Sequence, residues 1–223
     1  MKACVIIPTY NEAENIGSLL KEIRLREIDV AVIDDGSSDR TQDIARQEGA
    51  VVIRNERNSG KGKSLACGFS YALGAGYEAV ITMDGDGQHL AEDIPFFLRL
   101  AAYSQNAVFV GNRMHKAKTM PLLRYLTNRF MSWLISLVAK QKIPDTQCGF
   151  RLFKRPALEG LKLYTNRYET ESEILLRCAR RGFKIQSIPI RTVYNGARSR
   201  INPVTDTLRF IRFLLRELWT SRS

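Results

Sequence analysis

The sequence predicts a doubly wound α/β protein with a mostly parallel sheet. Short apolar runs recur with helical stretches between them, glycines stand at the ends of those stretches, and polar loops follow the runs directly. ACVIIP (3–8), DVAVID (29–34), AVVI (50–53), EAVITMD (78–84) and NAVFVG (106–111) read as strands. Most are nearly continuous in apolar residues, as strands covered on both faces are. Gly49 and Gly76 each precede a run, where glycine supplies the left-handed residue that ends a helix; Gly182 does the same before FKIQSIPIRTV. Past Gly111 the rhythm changes to a long helix over roughly Pro121 to Lys140, a strand-like QCGFRLFK, a helix around Ser172 to Arg181, the Gly182-led strand and a last helix from Pro203. No Pro/Gly/Ser-rich linker divides the chain, so one domain over 1–223 is expected, with two faces contributed by 1–111 and 112–223.

Of the 223 residues 44% are hydrophobic and 26% charged, the balance of a globular protein able to bury a full core. No window reaches the ~18 uncharged apolar residues of a membrane span. The first apolar run is too short for a signal peptide, and a cytoplasmic protein is expected, one that meets a membrane from one side only. Cys4, Cys67, Cys148 and Cys178 form no CxxC pair, which argues against a zinc site or disulfide framework and predicts reduced, mostly buried thiols. Charge is uneven: residues 1–111 hold 11 Lys/Arg against 16 Asp/Glu, and residues 112–223 hold 23 against 7. The second half therefore faces something anionic, such as a nucleic acid, an anionic bilayer or a phosphorylated substrate. Aromatic platforms interleaved with the basic residues are missing, which argues against single-strand nucleic acid.

Ligands of doubly wound sheets bind beyond the carboxyl ends of the strands, here PTYNE, DDGSSD, RNSGKGKS and DGDGQH. In MDGDGQH the spacing of Asp84 and Asp86 can bring both carboxylates to one side, and Gly85 and Gly87 permit a tight turn. A hard divalent ion such as Mg²⁺ or Mn²⁺ takes one or two carboxylates together with substrate phosphates, and bridging a diphosphate it neutralises charge on a leaving nucleotide. A solvated acidic turn is the plainer account of a DxD standing alone. A calcium loop is not completed, because Gln88 and His89 follow. His89 reads as a helix-start or supporting residue.

Taken together, VIIPTYNEAENIGSLL, VIDDGSSDRT, MDGDGQH, GNR and DTQCGFRLFK resemble family-2 glycosyltransferases, specifically the dolichyl- or polyprenyl-phosphate mannosyl/glucosyltransferase group without C-terminal transmembrane spans. The resemblance covers nearly the whole chain. It implies a GT-A-like fold, a GDP- or UDP-hexose donor held in 1–111, and a lipid-phosphate acceptor met by 112–223. It places Pro8, Tyr10, Glu12 and Asp35 at the nucleoside, and Asp84, Asp86 and Gln88 at metal and diphosphate. Arg113 and Arg129 fall at the acceptor phosphate, and Lys61 and Arg200, the latter within GARSR, at the donor phosphates. Asp86 and Asp145 are the expected catalytic carboxylates.

A phosphate acceptor is already anionic and needs no general base, whereas a sugar hydroxyl does. For a hydroxyl acceptor, as in polysaccharide or glycolipid synthesis, the base would be Asp145 or, less directly, Glu169, Glu171 or Glu173. Asp145 reads equally as a turn or capping residue, and Arg129 equally as surface charge. In TLRFIRFLLRELW (207–219), Leu208, Ile211, Leu215 and Leu218 recur at helical spacing beside Arg209, Arg212 and Arg216. This helix either lies in the headgroups of an anionic bilayer or packs on the sheet with its arginines in water. Residues 130–138, with Met131, Trp133, Leu134 and Leu137, admit the same two readings. A basic binding module that has lost catalysis is the remaining alternative, opposed by the intact DGDGQ and DDGS loops.

Overall fold

The computed structural model describes residues 1–115, 120–167, 169–192 and 203–220, with side chains of the last segment described from 209 to 217. Its strands are β1 (Ala3–Thr9), β2 (Asp29–Asp34), β3 (Val51–Arg54), β4 (Ala79–Thr82), β5 (Val108–Asn112), β6 (Arg151–Lys154) and β7 (Ile185–Pro189). The helices are α1 (Ile16–Arg24), α2 (Thr41–Gln47), α3 (Lys61–Gly74), α4 (Ile94–Tyr103), α5 (Leu122–Ala139), α6 (Arg155–Leu158), α7 (Glu169–Arg180) and α8 (Pro203–Thr220).

The strands form one sheet in the order β3-β2-β1-β4-β6-β5-β7. All neighbours are parallel except β6, which runs antiparallel between β4 and β5. All of β4 and nearly all of β1 are buried, as apolar runs covered on both faces require. Helix α1 buries Ile16, Leu19, Leu20 and Ile23, the 3–4 spacing of a single apolar stripe, and α3 packs across β1 and β2. Gly49, Gly76 and Gly182 take φ values of +80°, +76° and +82°, the left-handed residues expected at these helix ends. Cys4, Cys148 and Cys178 are buried, and burial pushes the first two thiols up to about 12 and the third to about 11, so they stay protonated.

Two boundaries differ from the sequence reading in ways that shape the site. Strand β4 stops at Thr82, so Asp84 and Asp86 stand on a turn beyond the sheet, where strand alternation no longer sets their directions. Helix α7 begins at Glu169 rather than Ser172, putting Glu169 and Glu171 in its first turn, where the helix dipole favours acids.

Candidate functional site

Four loops meet at the carboxyl ends of β1 to β4, stitched by side chains that bond backbone. The Asp35 amide donates to Thr9 O at 2.8 Å, that of Asn11 to Ser37 Oγ at 2.9 Å, and that of Glu12 to Thr41 Oγ1 at 2.8 Å, locking PTYNE to DDGSSD. The buried Asp35 carboxylate gathers the next loop. It accepts from Asn55 Nδ2 at 2.7 Å, from the Ser59 amide at 3.0 and 3.1 Å, and from the Gly60 amide at 2.7 Å. These contacts fix the entry to α3 and therefore Lys61, its first residue. Pro8 and Glu12 are half-buried and Tyr10 is exposed along the same rim.

Lys61 reaches across to the DGDGQ turn. Its Nζ lies 2.5 Å from Asp84 Oδ1 and 2.6 Å from Glu171 Oε1. His89, buried against the Phe150 ring, places Nε2 3.4 Å from Asp84 Oδ2. The third side of this carboxylate is closed by backbone: a methyl on Gly149 would stand 2.5 Å from Asp84 Oδ2. Burial is the largest single influence on the Asp84 carboxyl and acts to raise its pKa, but the charges and hydrogen bonds of Lys61 and His89 together outweigh it and hold the carboxyl well below its usual range. Burial likewise acts to lower Lys61, and the two carboxylates raise it instead.

Glu171 in turn is held from below by Arg151, which is fully buried in β6. Arg151 Nη2 lies 2.6 Å from Glu171 Oε2, and its guanidinium donates to the carbonyls of Cys148 (2.7 Å), Glu171 (2.7 Å) and Thr146 (2.9 Å). Asp86 is half-buried and accepts the Gln88 amide at 3.0 Å, and the Gln88 side chain is buried beside it. Among the described residues no three His, Cys, Asp or Glu side chains converge as a ready-made metal cage. Two carboxylates and one amide oxygen fall short of a full shell for a hard divalent ion, and so fit one held jointly with a diphosphate better than a permanently resident one.

The family model for glycosyl transferase family 2 matches residues 4–161, which include every strand and loop of this site up to β6. The chain belongs to glycosyltransferase family 2. The enzyme is 33% identical over 202 residues to the dolichyl-phosphate hexose transferase of Haloferax volcanii, covering 89% of this chain and 86% of the relative. It is 31% identical over 208 residues to the undecaprenyl-phosphate mannosyltransferase of Micrococcus luteus, covering 86% and 84%. Glucosyl-3-phosphoglycerate synthase from Mycobacterium tuberculosis, solved in complex with Mg²⁺ and UDP, superposes with a TM-score of 0.73 at 17% identity, covering 98% of this chain and 78% of that one. This likeness shows the GT-A fold.

In the glycosyltransferase the segment 145–149 runs between the DGDGQ turn and the end of β5. Thr82 Oγ1 donates to Gly149 O at 2.7 Å at one end. At the other, Asp145 takes Arg113 in a two-point fork, Nε to Oδ2 at 2.8 Å and Nη2 to Oδ1 at 2.9 Å, and also accepts the Arg113 and Gln147 amides. Two residues assigned separately to acceptor and base thus meet each other, both buried. Burial acts to raise the Asp145 carboxyl, but the Arg113 charge and these hydrogen bonds pull it down. Its contribution to stability is therefore complete above the unfolded carboxyl value of about 4 and is lost as pH falls through the lower folded value. Asp145→Asn is expected to cost about 3–5 kcal/mol at pH 7, because it removes the carboxylate that grips a buried guanidinium at two points. Urea unfolding at pH 7 and pH 3 checks this: the gap from wild type should narrow at pH 3, and a gap that widens there would refute the assignment.

Arg129 lies exposed on α5 and donates to Tyr125 Oη at 3.1 Å, apart from the Arg113 pair. Arg200 and the rest of GARSR lie outside the described residues. Sequence reasoning missed Arg151 and Asn55, and it offered Glu171 only as a general base. A signal for Arg151 was present: a lone arginine in the buried run GFRLF must find partners.

Proposed function

We propose that residues 1–223 act as one transferase domain that moves a hexose from a GDP-mannose- or UDP-glucose-type donor to a polyprenyl or dolichyl phosphate at a membrane surface. Asp84, Asp86 and Gln88 would hold Mg²⁺ or Mn²⁺ with the diphosphate, where the ion supplies charge neutralisation for the departing nucleotide. Glu12 and Asp35 would serve as acceptors for ribose and base donors, with Pro8 and Tyr10 on the same rim. Lys61 serves the donor phosphates and Arg129 the acceptor phosphate, which arginine's planar fork suits. The relatives named for dolichyl and undecaprenyl phosphate support the acceptor class.

The observation that carries the membrane reading is helix α5. It buries the polar Asn128 and Ser132 along with Ile135 and turns Leu122, Leu123, Leu126, Phe130, Trp133 and Leu137 outward at 52–72% exposure. A helix with its large apolar residues on the open side is built to meet something apolar. Arg129 borders that stripe, as a basic residue at a headgroup layer would. The described part of α8 adds a second outward face: Phe210, Phe213 and Leu214 pack inward while Ile211 and Leu215 stand exposed among Arg209, Arg212 and Arg216. Among the described residues no helix is long and apolar enough to cross a membrane, so contact at the cytoplasmic face would be peripheral.

Three of the four base candidates also favour a phosphate over a hydroxyl. Asp145 has both oxygens engaged and a lowered pKa, Glu171 is clamped by Lys61 and Arg151, and Glu173 accepts the Tyr164 and Thr165 amides and Arg177. An anionic acceptor needs positioning only and can displace the nucleotide directly, inverting the anomeric centre. The test is transfer from GDP-mannose and UDP-glucose to polyprenyl phosphate in anionic vesicles. The Phe130→Glu/Trp133→Glu enzyme should lose at least about tenfold of that transfer, while keeping its melting temperature and its activity on a short-chain, water-soluble polyprenyl phosphate. Equal activity on vesicles, or equal loss on both acceptors, would sink the membrane reading.

A further inference from the structure

We propose that Lys61 is an internal counter-ion that occupies the Asp84 carboxylate until a nucleoside diphosphate arrives, so that the enzyme takes up its divalent cation only together with the nucleotide. The inference rests on the reading of Asp84, Asp86 and Gln88 as the donor-metal site and concerns the order in which that site fills.

The ammonium of Lys61 lies 2.5 Å from Asp84 Oδ1, within the space that a cation on that oxygen would need, and 2.6 Å from Glu171 Oε1. Glu171 has a second partner in Arg151 at 2.6 Å. Within this chain of ion pairs two carboxylates thus face two cations, and even with the Asp86 carboxylate added a divalent ion alone would leave an excess of positive charge in a partly buried site. Backbone at Gly149 and the ring of His89 crowd the Asp84 carboxylate, so an ion binding Oδ1 from the exposed side competes with the lysine for that oxygen. A diphosphate changes the balance. It brings the missing negative charge and offers the ammonium a new partner, and the flexible lysine stem can swing to it while staying protonated. Lys61 is also the first residue of α3, and the amides at that end already favour anions. Gly60 and Gly62 lie against the backbone of Thr165 and Asn166, where an added methyl would stand 2.1 Å from a carbonyl oxygen, so the exchange takes place by side-chain motion on a fixed helix start.

The experiment is calorimetric titration of Mn²⁺ into the full chain, alone and with saturating UDP or GDP, for wild type, Lys61→Met, Lys61→Gln and Lys61→Arg. Wild type should bind Mn²⁺ weakly by itself and at least about tenfold more tightly with the matching nucleotide. Both neutral variants should bind Mn²⁺ alone at least about tenfold more tightly than wild type, and Lys61→Arg, which keeps the charge, should not. Tightening in the absence of nucleotide is the decisive reading, because a lysine that only binds donor phosphates would leave it unmoved. Using two neutral variants keeps the test intact if one fails to fold. If wild type binds Mn²⁺ with nucleotide but neither neutral variant binds Mn²⁺ alone more tightly, the counter-ion role is overturned and the metal site stands. If no protein binds Mn²⁺ under any condition, the metal reading falls and the counter-ion falls with it.

Discussion

Transfer by the Asp86→Asn enzyme is expected to fall on the order of 10²–10³-fold in kcat/KM, the scale of losing one preorganised group that stabilises developing charge. Its melting temperature should stay within about 2 °C of wild type, less than a 1 kcal/mol change would produce. The two halves of this expectation come from one local fact. The backbone contact of Asp86 is a turn hydrogen bond from the Gln88 amide, which an asparagine oxygen accepts equally well. The fold therefore loses little, whereas a charged oxygen for a hard cation becomes a neutral one. Asp84→Asn is a less clean experiment, since it also strips Lys61 and His89 of their shared partner. Steady-state kinetics over a Mn²⁺ series, with thermal melts on the same preparations, checks both halves. A kcat/KM within tenfold of wild type at saturating Mn²⁺ would remove Asp86 from the site.

The largest loss of stability is expected from Arg151→Met, about 3–5 kcal/mol, the cost of stranding one member of a buried ion pair. For a chain of this size that is a fall in melting temperature of roughly 10 °C. Arg151 is fully buried and stands opposite Thr82 on β4 and Val110 on β5, in the interior of the sheet. Removing it leaves the carbonyls of Thr146, Cys148 and Glu171 without their donor and the Glu171 carboxylate with Lys61 as its ion-pair partner. Arg151→Lys should recover only part of the loss, because one ammonium cannot reach three carbonyls in different directions. Thermal melts of the two variants decide the matter: a Met variant melting within 2 °C of wild type would show that the network stabilises nothing.

What the sequence made legible is what depends on near neighbours. The strand cores, the helix-ending glycines and the loops after β1 to β4 all follow from local pattern, with Asp35 and Asp84 at predicted strand ends and Lys61 at the start of the helix that follows β3. What stayed hidden depends on partners far along the chain. Arg113 and Asp145 were each visible as charged residues in suggestive places, yet their pairing is set by how β5 and the 145–149 segment come together. Lys61 could be read as a phosphate ligand, but not as the partner of Glu171, which arrives on α7. In α5 the apolar residues were evident and the buried side was not: Asn128 and Ser132 face inward, and Ser132 finds a polar seat there, its Oγ accepting the Thr146 amide at 2.9 Å. In α8 the spacing left open which way the Leu208, Ile211, Leu215 and Leu218 stripe turns; Ile211 and Leu215 stand exposed, and Phe210, Phe213 and Leu214 face inward, joined by Glu217 pairing with Arg180.

The antiparallel insertion of β6 bears on how the chain assembles during synthesis. Strands β1 to β4 leave the ribosome first and can pair in the order β3-β2-β1-β4, but the outer edge of β4 then has no neighbour, and its sequence AVIT is wholly apolar apart from one threonine. Strand β5 cannot cover it, because β5 reaches the sheet only through β6. Until residue 154 has emerged, an unpaired, sticky edge remains open to other nascent chains. The N-terminal half is thus a late-closing structure whose completion waits on the strand that also brings Arg151 beneath Glu171.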